Sequence, residues 1–550
     1  MSKLLVVSDF NAELLSRYLD ADRNAPECTV ETAPFGQVFQ TLAGLPDGGE
    51  TTLVVWTRPE GVSPAWAEYV EGGTVPMERL QEDVDQFAEA LKQAAAKARM
   101  LLVATWVPTR HGRGLGLLDW GGDGQARRLA AMNLRLAEAL DGVQGVYLLD
   151  AQRWLDAARP ARDSKYWHAI KSPFSEQVFK AAASDVKAAL RANLGQTRKL
   201  LILDLDDTLW GGIVGDEGWE NLRLGGHDAL GEAHLDIQRA ALALARRGIA
   251  LAVVSKNDEA VALTAIDSHP EMLIRRGDLA GWRINWEDKA TNIVRLVEEL
   301  NLGLDAAVFI DDNPTERGRV REALPQVLVP DLPAHPAAFA DLLRQLDCFD
   351  SVSLTAEDRA RVEMYAAERG RRESAGSFTS PEEWLKSLDI RVGIAPKRPE
   401  NAKRIVQLLN KTNQMNLSTR RMTEAEIDAW LAADGRDLLS ATVADRFGDL
   451  GLTGIVSWSV DGDDLVLADF VLSCRAMGRQ VEQAMAHLAV EAARAAGAKR
   501  VVARHLPTAK NRPCLEFWRQ SGFAEDEEGL FVWDAGAPYP LPEAVALTRG

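Results

Sequence analysis

The chain has 550 residues, too many for one hydrophobic core, so two to four domains are expected. Its 63 basic and 81 acidic side chains leave a formal net charge of −18, which argues against nucleic acid or an anionic membrane as the main partner. Four scattered cysteines, Cys28, Cys348, Cys474 and Cys514, lack metal-ligand spacing and fit a reducing compartment. The apolar run in MSKLLVVSDFN is too short for a signal peptide or membrane helix, so a cytoplasmic location is expected.

In chain order, residues 4–8 (LLVVS) read as a first buried strand, with Asp9 and Asn11 at its end. Apolar runs at 52–56, 100–106 and 145–149 read as further strands, and helical periodicity occupies 81–98 and 126–140. A Gly-rich loop, HGRGLGLLDWGGDG, follows the third run. Strands alternating with helices make 1–190 an α/β domain. Ser8, Asn133, Asp163 and His168 together resemble the SGNH hydrolase arrangement, in which a histidine activates a serine nucleophile. Ser8 precedes Asp9-Phe10 rather than following a Gly-Asp, and the close Asp-x-x-His spacing is absent, so the resemblance implies a degenerate scaffold that binds a partner or covers a neighbouring site.

A helix over 181–195 with a Gly cap leads into Leu200–Leu203, a short apolar strand that delivers Asp204, Asp206 and Thr208 to its carboxyl end. Two carboxylates so close repel each other unless a cation or shared proton lies between them. One can attack phosphorus while the other trades a proton with the leaving oxygen. The run 249–254 ends in Ser255, a donor for a phosphoryl oxygen; Lys289 opens an amphipathic helix; and 307–310 ends in Asp311-Asp312. Strand ends of this kind, separated by helix-length segments, describe an open α/β sheet over 191–350 with its ligand at the carboxyl edge. Only 50 positions separate Asp204 from Val254, and one helix at 229–247 fills most of them, which leaves room for a minimal cap.

These four motifs resemble the haloacid dehalogenase (HAD) superfamily of Asp-nucleophile phosphotransferases, with a Rossmannoid core. The resemblance implies Asp204 as nucleophile, Asp206 as general acid/base, Ser255 as the phosphate-binding hydroxyl and Lys289 as the charge clamp. It also implies Mg2+ held among Asp204, Asp206, Asp311 and Asp312, with Thr208 among the cofactor-binding residues.

A helical connector is expected over 351–380, from the N-capped run Thr355 to Glu368 and the Gly- and Ser-bearing joint RRESAGSFTSPEEW. The domain over 381–550 contains a dense polar run with Asn413, Gln414, Asn416, Thr419 and Arg420, strands at 454–458, 465–474 and 500–504, and a helix at 481–496. A strand passing through Arg475-Ala476-Met477-Gly478-Arg479-Gln480 into a helix offers free backbone N–H groups to a phosphate. This order resembles the Gcn5-related N-acyltransferase (GNAT) α+β fold. It implies a site for the phosphopantetheine arm of a carrier protein at Arg475, Gly478, Arg479 and Asn511.

Asp204–Gly212 with Gly215–Gly218, Ser255–Asn257, Asp311–Glu316, Lys411–Arg421 and Leu472–Arg479 together resemble the FkbH-like proteins of polyketide biosynthesis. The resemblance implies a glyceryltransferase/phosphatase that takes 1,3-bisphosphoglycerate, removes phosphate and loads the glyceryl group as a thioester onto an acyl carrier protein. On that resemblance Cys474 is the acyl-holding thiol, with Cys514 a weaker candidate, and Arg504, Lys510 and Arg512 are contributors to a basic surface for the acidic carrier. A magnesium-dependent phosphatase of another small-molecule or carrier-linked phosphate, and a non-catalytic assembly-line scaffold, are the alternatives.

Overall fold

Branched apolar runs set the strands, and which face each run buries sets the layers. A computed structural model describes residues 2–23, 26–109, 112–352, 378, 380–527 and 529–549; the expected connector helix lies outside them. The chain divides into two units, Met1–Ala192 and Asn193–Gly550.

In the first unit, β1 (Ser2–Val7), β2 (Cys28–Thr32), β3 (Thr51–Val55), β4 (Met100–Ala104) and β5 (Val146–Leu149) form a parallel sheet in the order β2-β1-β3-β4-β5. Leu4 and Val6 pack on one face with Val178 and Phe179 of the helix Glu176–Asn193. Val7 and Val55 pack on the other with Leu80, Val84 and Phe87 of the helix Met77–Ala95. β2, with the sequence CTVET, escapes a search for apolar runs because it is an edge strand and leaves most of its residues partly or fully exposed.

The second unit holds two sheets. The first is parallel, in the order β8-β7-β6-β9: β6 (Leu200–Leu203), β7 (Ala250–Ser255), β8 (Leu279–Ile284) and β9 (Ala307–Ile310). Leu201 and Leu203 pack into one apolar layer and Leu200 and Ile202 into the other, so β6 is central and buried on both faces. The segment after β6 makes only a short helix, Val214–Glu217, and a turn, Trp219–Asn221, before the long helix Ala229–Arg246.

The second sheet is mixed: β10 (Ile390–Pro396), β11 (Met415–Asn416), β12 (Arg436–Asp445), β13 (Gly448–Asp461), β14 (Asp464–Leu472), β15 (Arg500–Arg504), β16 (Ala524–Glu527), β17 (Leu530–Asp534) and β18 (Val545–Arg549). β12, β13 and β14 are an antiparallel meander, and the helix Val481–Ala495 carries the chain from β14 to a parallel β15. That parallel pairing stops at Leu467 and Ala503. Past it, Leu472 and Val471 of β14 pair with Met415 and Asn416, and Leu417 bridges Phe470 and Leu506 through two backbone hydrogen bonds of 3.1 and 2.9 Å. The strands diverge, and residues 415–417 fill the opening.

Candidate active site at the carboxyl edge

Asp204 follows the last residue of β6, and its N–H bonds the Ile310 carbonyl at 3.0 Å, which aligns the ends of β6 and β9. Lys289 is the first residue of the helix Lys289–Glu299, whose Asp288 cap accepts from the Thr291 N–H. From there its Nζ reaches Asp204 Oδ2 at 2.9 Å and Asp311 Oδ2 at 2.6 Å while remaining 4% exposed. Asp312 accepts from the Thr208 hydroxyl at 3.3 Å, and its own N–H donates back to that oxygen at 3.1 Å. One oxygen of each of Asp204, Asp311 and Asp312 lies within 4.8 Å of the others.

One lysine cannot neutralise three carboxylates in a water-poor pocket. Burial raises the Asp204 carboxyl to about 6, against the pull of Lys289. It raises Asp311 and Asp312 as well. Burial alone would depress Lys289, but the two carboxylates beside it outweigh that and hold it above the ordinary lysine value. Asp204 Oδ1 is buried without a hydrogen-bond partner. A carboxylate with an unpaired buried oxygen, grouped with two further carboxylates, is the arrangement a hard divalent cation fits.

Asp206 stands apart from this group. Its Oδ1 accepts from the Trp210 indole at 2.9 Å and the Val214 N–H at 3.1 Å, and its Oδ2 accepts from Asn257 at 2.9 Å. The loop folds back, with Asp206 bridged to Trp210, so that its carboxylate meets these three donors and lies outside the group formed by Asp204, Asp311 and Asp312. Ser255, 2% exposed, closes β7 and is held by Asn257 at 3.3 Å. Asn257, quoted in its motif but given no role, thus positions both groups. Its signal was its place two residues past a strand end.

The opposite end of β6 meets a different environment. Lys199, immediately before β6, lines a cavity of about 380 Å³ together with Lys411, Lys510, Arg512, Asp305 and Cys474. Gly195 forms part of its wall at φ +66°, and a Cβ there would lie 2.3 Å from the Asn410 carbonyl oxygen, so only glycine permits the close approach. Asn413 and Gln414 of the polar run also line the cavity. Arg420 pairs with buried Asp469 instead, and Thr419 donates its N–H to Asn416 Oδ1.

The other residues expected around a phosphopantetheine arm are used internally. Asn511 is fully buried, gives its amide to the carbonyls of Asn416 and Leu506, and accepts from Thr508. The Gly478 N–H donates to Glu482 Oε1 at 2.9 Å, and Arg479 donates to the Arg475 carbonyl oxygen. A buried carboxylate thus sits at the amide that was expected to be free for a phosphate. Arg475 lines a smaller pocket beside Cys474. Cys514 is fully buried and its thiol is pushed up to about 12 by burial, which removes it as a nucleophile.

In the first unit, Asp163 caps the helix Ser164–Ile170, Asn133 bonds both backbone groups of Trp106, and the Ser8 hydroxyl accepts the Phe10 N–H at 3.2 Å. His168 is exposed whereas Ser8 is buried. Asp9, at the end of β1, binds Arg58 through its N–H at 2.7 Å and its Nε at 2.8 Å.

No protein-family profile and no curated protein matches the chain. Among solved structures, the chain is similar to the N-terminal part of a Bacteroides fragilis protein containing a phosphatase domain, complexed with Mg, at 26% identity and a TM-score of 0.58, over 64% of this chain and 95% of that one. The parallel sheet of the second unit is a HAD-like phosphatase fold. A GNAT-family acetyltransferase from Streptococcus pneumoniae aligns at 20% identity over 24% of this chain and 84% of its own, with a TM-score of 0.19. The ribosomal-protein-S18-alanine N-acetyltransferase of Escherichia coli aligns at 10% identity over 26% and 90%, with a TM-score of 0.20. Among the described residues no helix is long and apolar enough to cross a membrane.

Proposed function

We propose that the chain is a magnesium-dependent glyceryltransferase/phosphatase that converts 1,3-bisphosphoglycerate into a glyceryl thioester on an acyl carrier protein. The observation that carries the phosphatase half is the partnerless Oδ1 of Asp204, in a buried carboxylate that Lys289 binds and that is grouped with Asp311 and Asp312. Asp204, Asp311 and Asp312 would hold Mg2+, the ion in the Bacteroides fragilis structure. Bound there, it would supply charge neutralisation and polarise a phosphoryl oxygen.

The rest follows from this chain's own groups. Asp204 attacks the phosphorus of a phosphate ester, and the ester oxygen leaves with a proton supplied by Asp206, which Asn257 and Trp210 keep oriented toward the loop. Asp206 then takes a proton from the water that hydrolyses the aspartyl phosphate and releases inorganic phosphate. Lys289 holds the nucleophile and Ser255 donates to a phosphoryl oxygen.

1,3-Bisphosphoglycerate carries two phosphates, and a glyceryl thioester carries none. Attack of the Cys474 thiolate on the acyl carbon breaks the carbon–oxygen bond to the 1-phosphate, which departs as phosphate, while the thiol proton goes to solvent. The 3-phosphate is an ester and requires the Asp204 site. The carrier thiol then takes the acyl group from Cys474. A plain phosphatase is the second reading, favoured by the distance between the sites: Lys199 and Asp204 are five residues apart along β6, about 16 Å at strand rise.

Intact-protein mass spectrometry of enzyme, magnesium, 1,3-bisphosphoglycerate and phosphopantetheinylated carrier separates the two. Glyceryl mass is expected first on the enzyme and then on the carrier, with both lost in Cys474→Ala. Phosphate release dependent on Asp204 with no acylated protein would leave the plain phosphatase.

A further inference from the structure

The turn that follows β9 has a geometric problem to solve. Consecutive side chains of a strand point to opposite faces, yet Asp311 and Asp312 both reach the cluster around Asp204, one at Lys289 and the other at Thr208. The main chain must therefore turn immediately after Ile310. The ladder to β6 ends there, with the Ile310 carbonyl taking the Asp204 N–H, so the carbonyls of Asp311 and Asp312 need a donor from outside the sheet.

Arg317 supplies it. It is the fourth residue of the helix Pro314–Ala323, whose cap Asn313 accepts from the Thr315 N–H at 2.9 Å and donates its own N–H to Asp311 Oδ1 at 2.9 Å. One guanidinium nitrogen, Nη1, donates to the carbonyl oxygens of Asp311 and Asp312, each at 2.7 Å. The residue is buried and its Nε is enclosed without a partner, so the cation is held there at a cost in solvation that a surface arginine does not bear. Arg321, one turn further along the helix, makes the same kind of contact elsewhere: its Nε and Nη2 donate to the Val329 carbonyl at 3.0 and 2.8 Å, and it also pairs with Asp331. Both arginines brace main-chain oxygens, but those held by Arg317 belong to two candidate metal ligands.

We propose that Arg317 is a positioning residue that sets the Asp312 carboxylate against those of Asp311 and Asp204 for a divalent cation, by pinning the two peptide planes that flank Asp312. With both planes fixed, the Asp312 side chain leaves the chain in one direction, and Thr208 catches it there. The proposal rests on the cation site given to Asp204, Asp311 and Asp312 above. It adds that the affinity of the site depends on a residue whose bonds run to main-chain oxygens. Without that guanidinium two buried carbonyls lose their donor, and the turn relaxes away from the geometry the cation needs.

The test is Mn2+ binding to the full chain, read as loss of the free-ion signal in electron paramagnetic resonance, with no turnover involved. Wild type should bind the ion and Asp204→Asn should lose it. Arg317→Met should weaken binding by about 10- to 100-fold, whereas Arg321→Met should stay within about twofold of wild type. Arg317→Lys, which keeps a donor and the charge, should recover most of the loss. If Arg317→Met does not fold, Arg317→Lys set against Arg321→Lys decides the matter: the first should weaken binding about threefold and the second not at all. Wild-type affinity in Arg317→Met, an equal loss in Arg321→Met, or equal affinities in the two lysine variants overturn the proposal and leave the cation site standing. A wild type that binds no Mn2+, or an Asp204→Asn that binds it as well as wild type does, overturns the cation site and the positioning role with it.

Discussion

Two aspartates end the first strands of two parallel sheets, and they have met different fates. Asp9 follows β1 and has both oxygens occupied, one by the Arg58 N–H and one by its guanidinium. Gly61 lies so close that a Cβ there would come within 2.0 Å of Asp9 Oδ2, and Trp167 stacks on the Arg58 guanidinium at 4.3 Å. Asp204 follows β6 with one oxygen on Lys289 and the other on nothing. The strand delivers a carboxylate in both units; whether it is a brace or a reagent depends on what the next strand ends bring. Thr57-Arg58 follows β3 and completes an ion pair, whereas Asp311-Asp312 follows β9 and leaves an excess of negative charge.

The contrast breaks most sharply by substitution at each aspartate. Asp204→Asn should lower phosphate release from a phosphomonoester by about 10³-fold or more, whereas Asp9→Asn should leave kcat within about threefold. Steady-state assays of folded variants decide it, and equal losses would erase the distinction. Arg58→Met, which strands a buried carboxylate, should cost the first unit about 3 kcal/mol in urea unfolding. A cost near zero would mean that water already reaches Asp9.

The pH dependence of stability sharpens the comparison further. The folded-state value of Asp204, about 6, lies above its ordinary 3.8, so the folded protein holds that proton more tightly than the unfolded chain does. Its stabilising contribution is full below the ordinary value and is lost as pH rises toward about 6. In a chelator, the stability advantage of Asp204→Asn over wild type should therefore widen by about 2–3 kcal/mol between pH 4 and 6 and then level off. Added magnesium should shrink the gap. A milder loss than at Asp204 is expected at Asn257→Ala, which removes one donor to Asp206 and one to Ser255 and should cost about tenfold in kcat.

The carboxyl-edge carboxylates were legible because they follow apolar runs directly: Asp204 after LLIL and Asp311 after AVFI. β8 was missed because LAGWRI interrupts its apolar residues with glycine and arginine, although Lys289 lies on the helix that follows it. Around the residues expected for a phosphopantetheine arm, one occupant is local and one is distant. Glu482, four residues past Gly478 on the helix that follows the turn, takes the Gly478 amide, whereas the segment 415–417 pairs with the end of β14 from far away in sequence, which only tertiary structure reveals. The amino-edge cavity had no local signal, since Lys199, Lys411 and Lys510 are about a hundred or more positions apart.

The walls of that cavity carry one more consequence. Lys199 and Asp305 belong to the parallel sheet and its loops, while Lys411, Cys474 and Lys510 belong to the mixed sheet and its helices. The carboxyl-edge site is the property of a single module, and could be inherited, transplanted or deleted with it. The chamber is jointly owned: a recombination event separating the two sheets would pass on a complete cluster of aspartates and leave each descendant with half of a chamber. Carrying the whole chamber into another chain therefore requires the two modules to move as a pair.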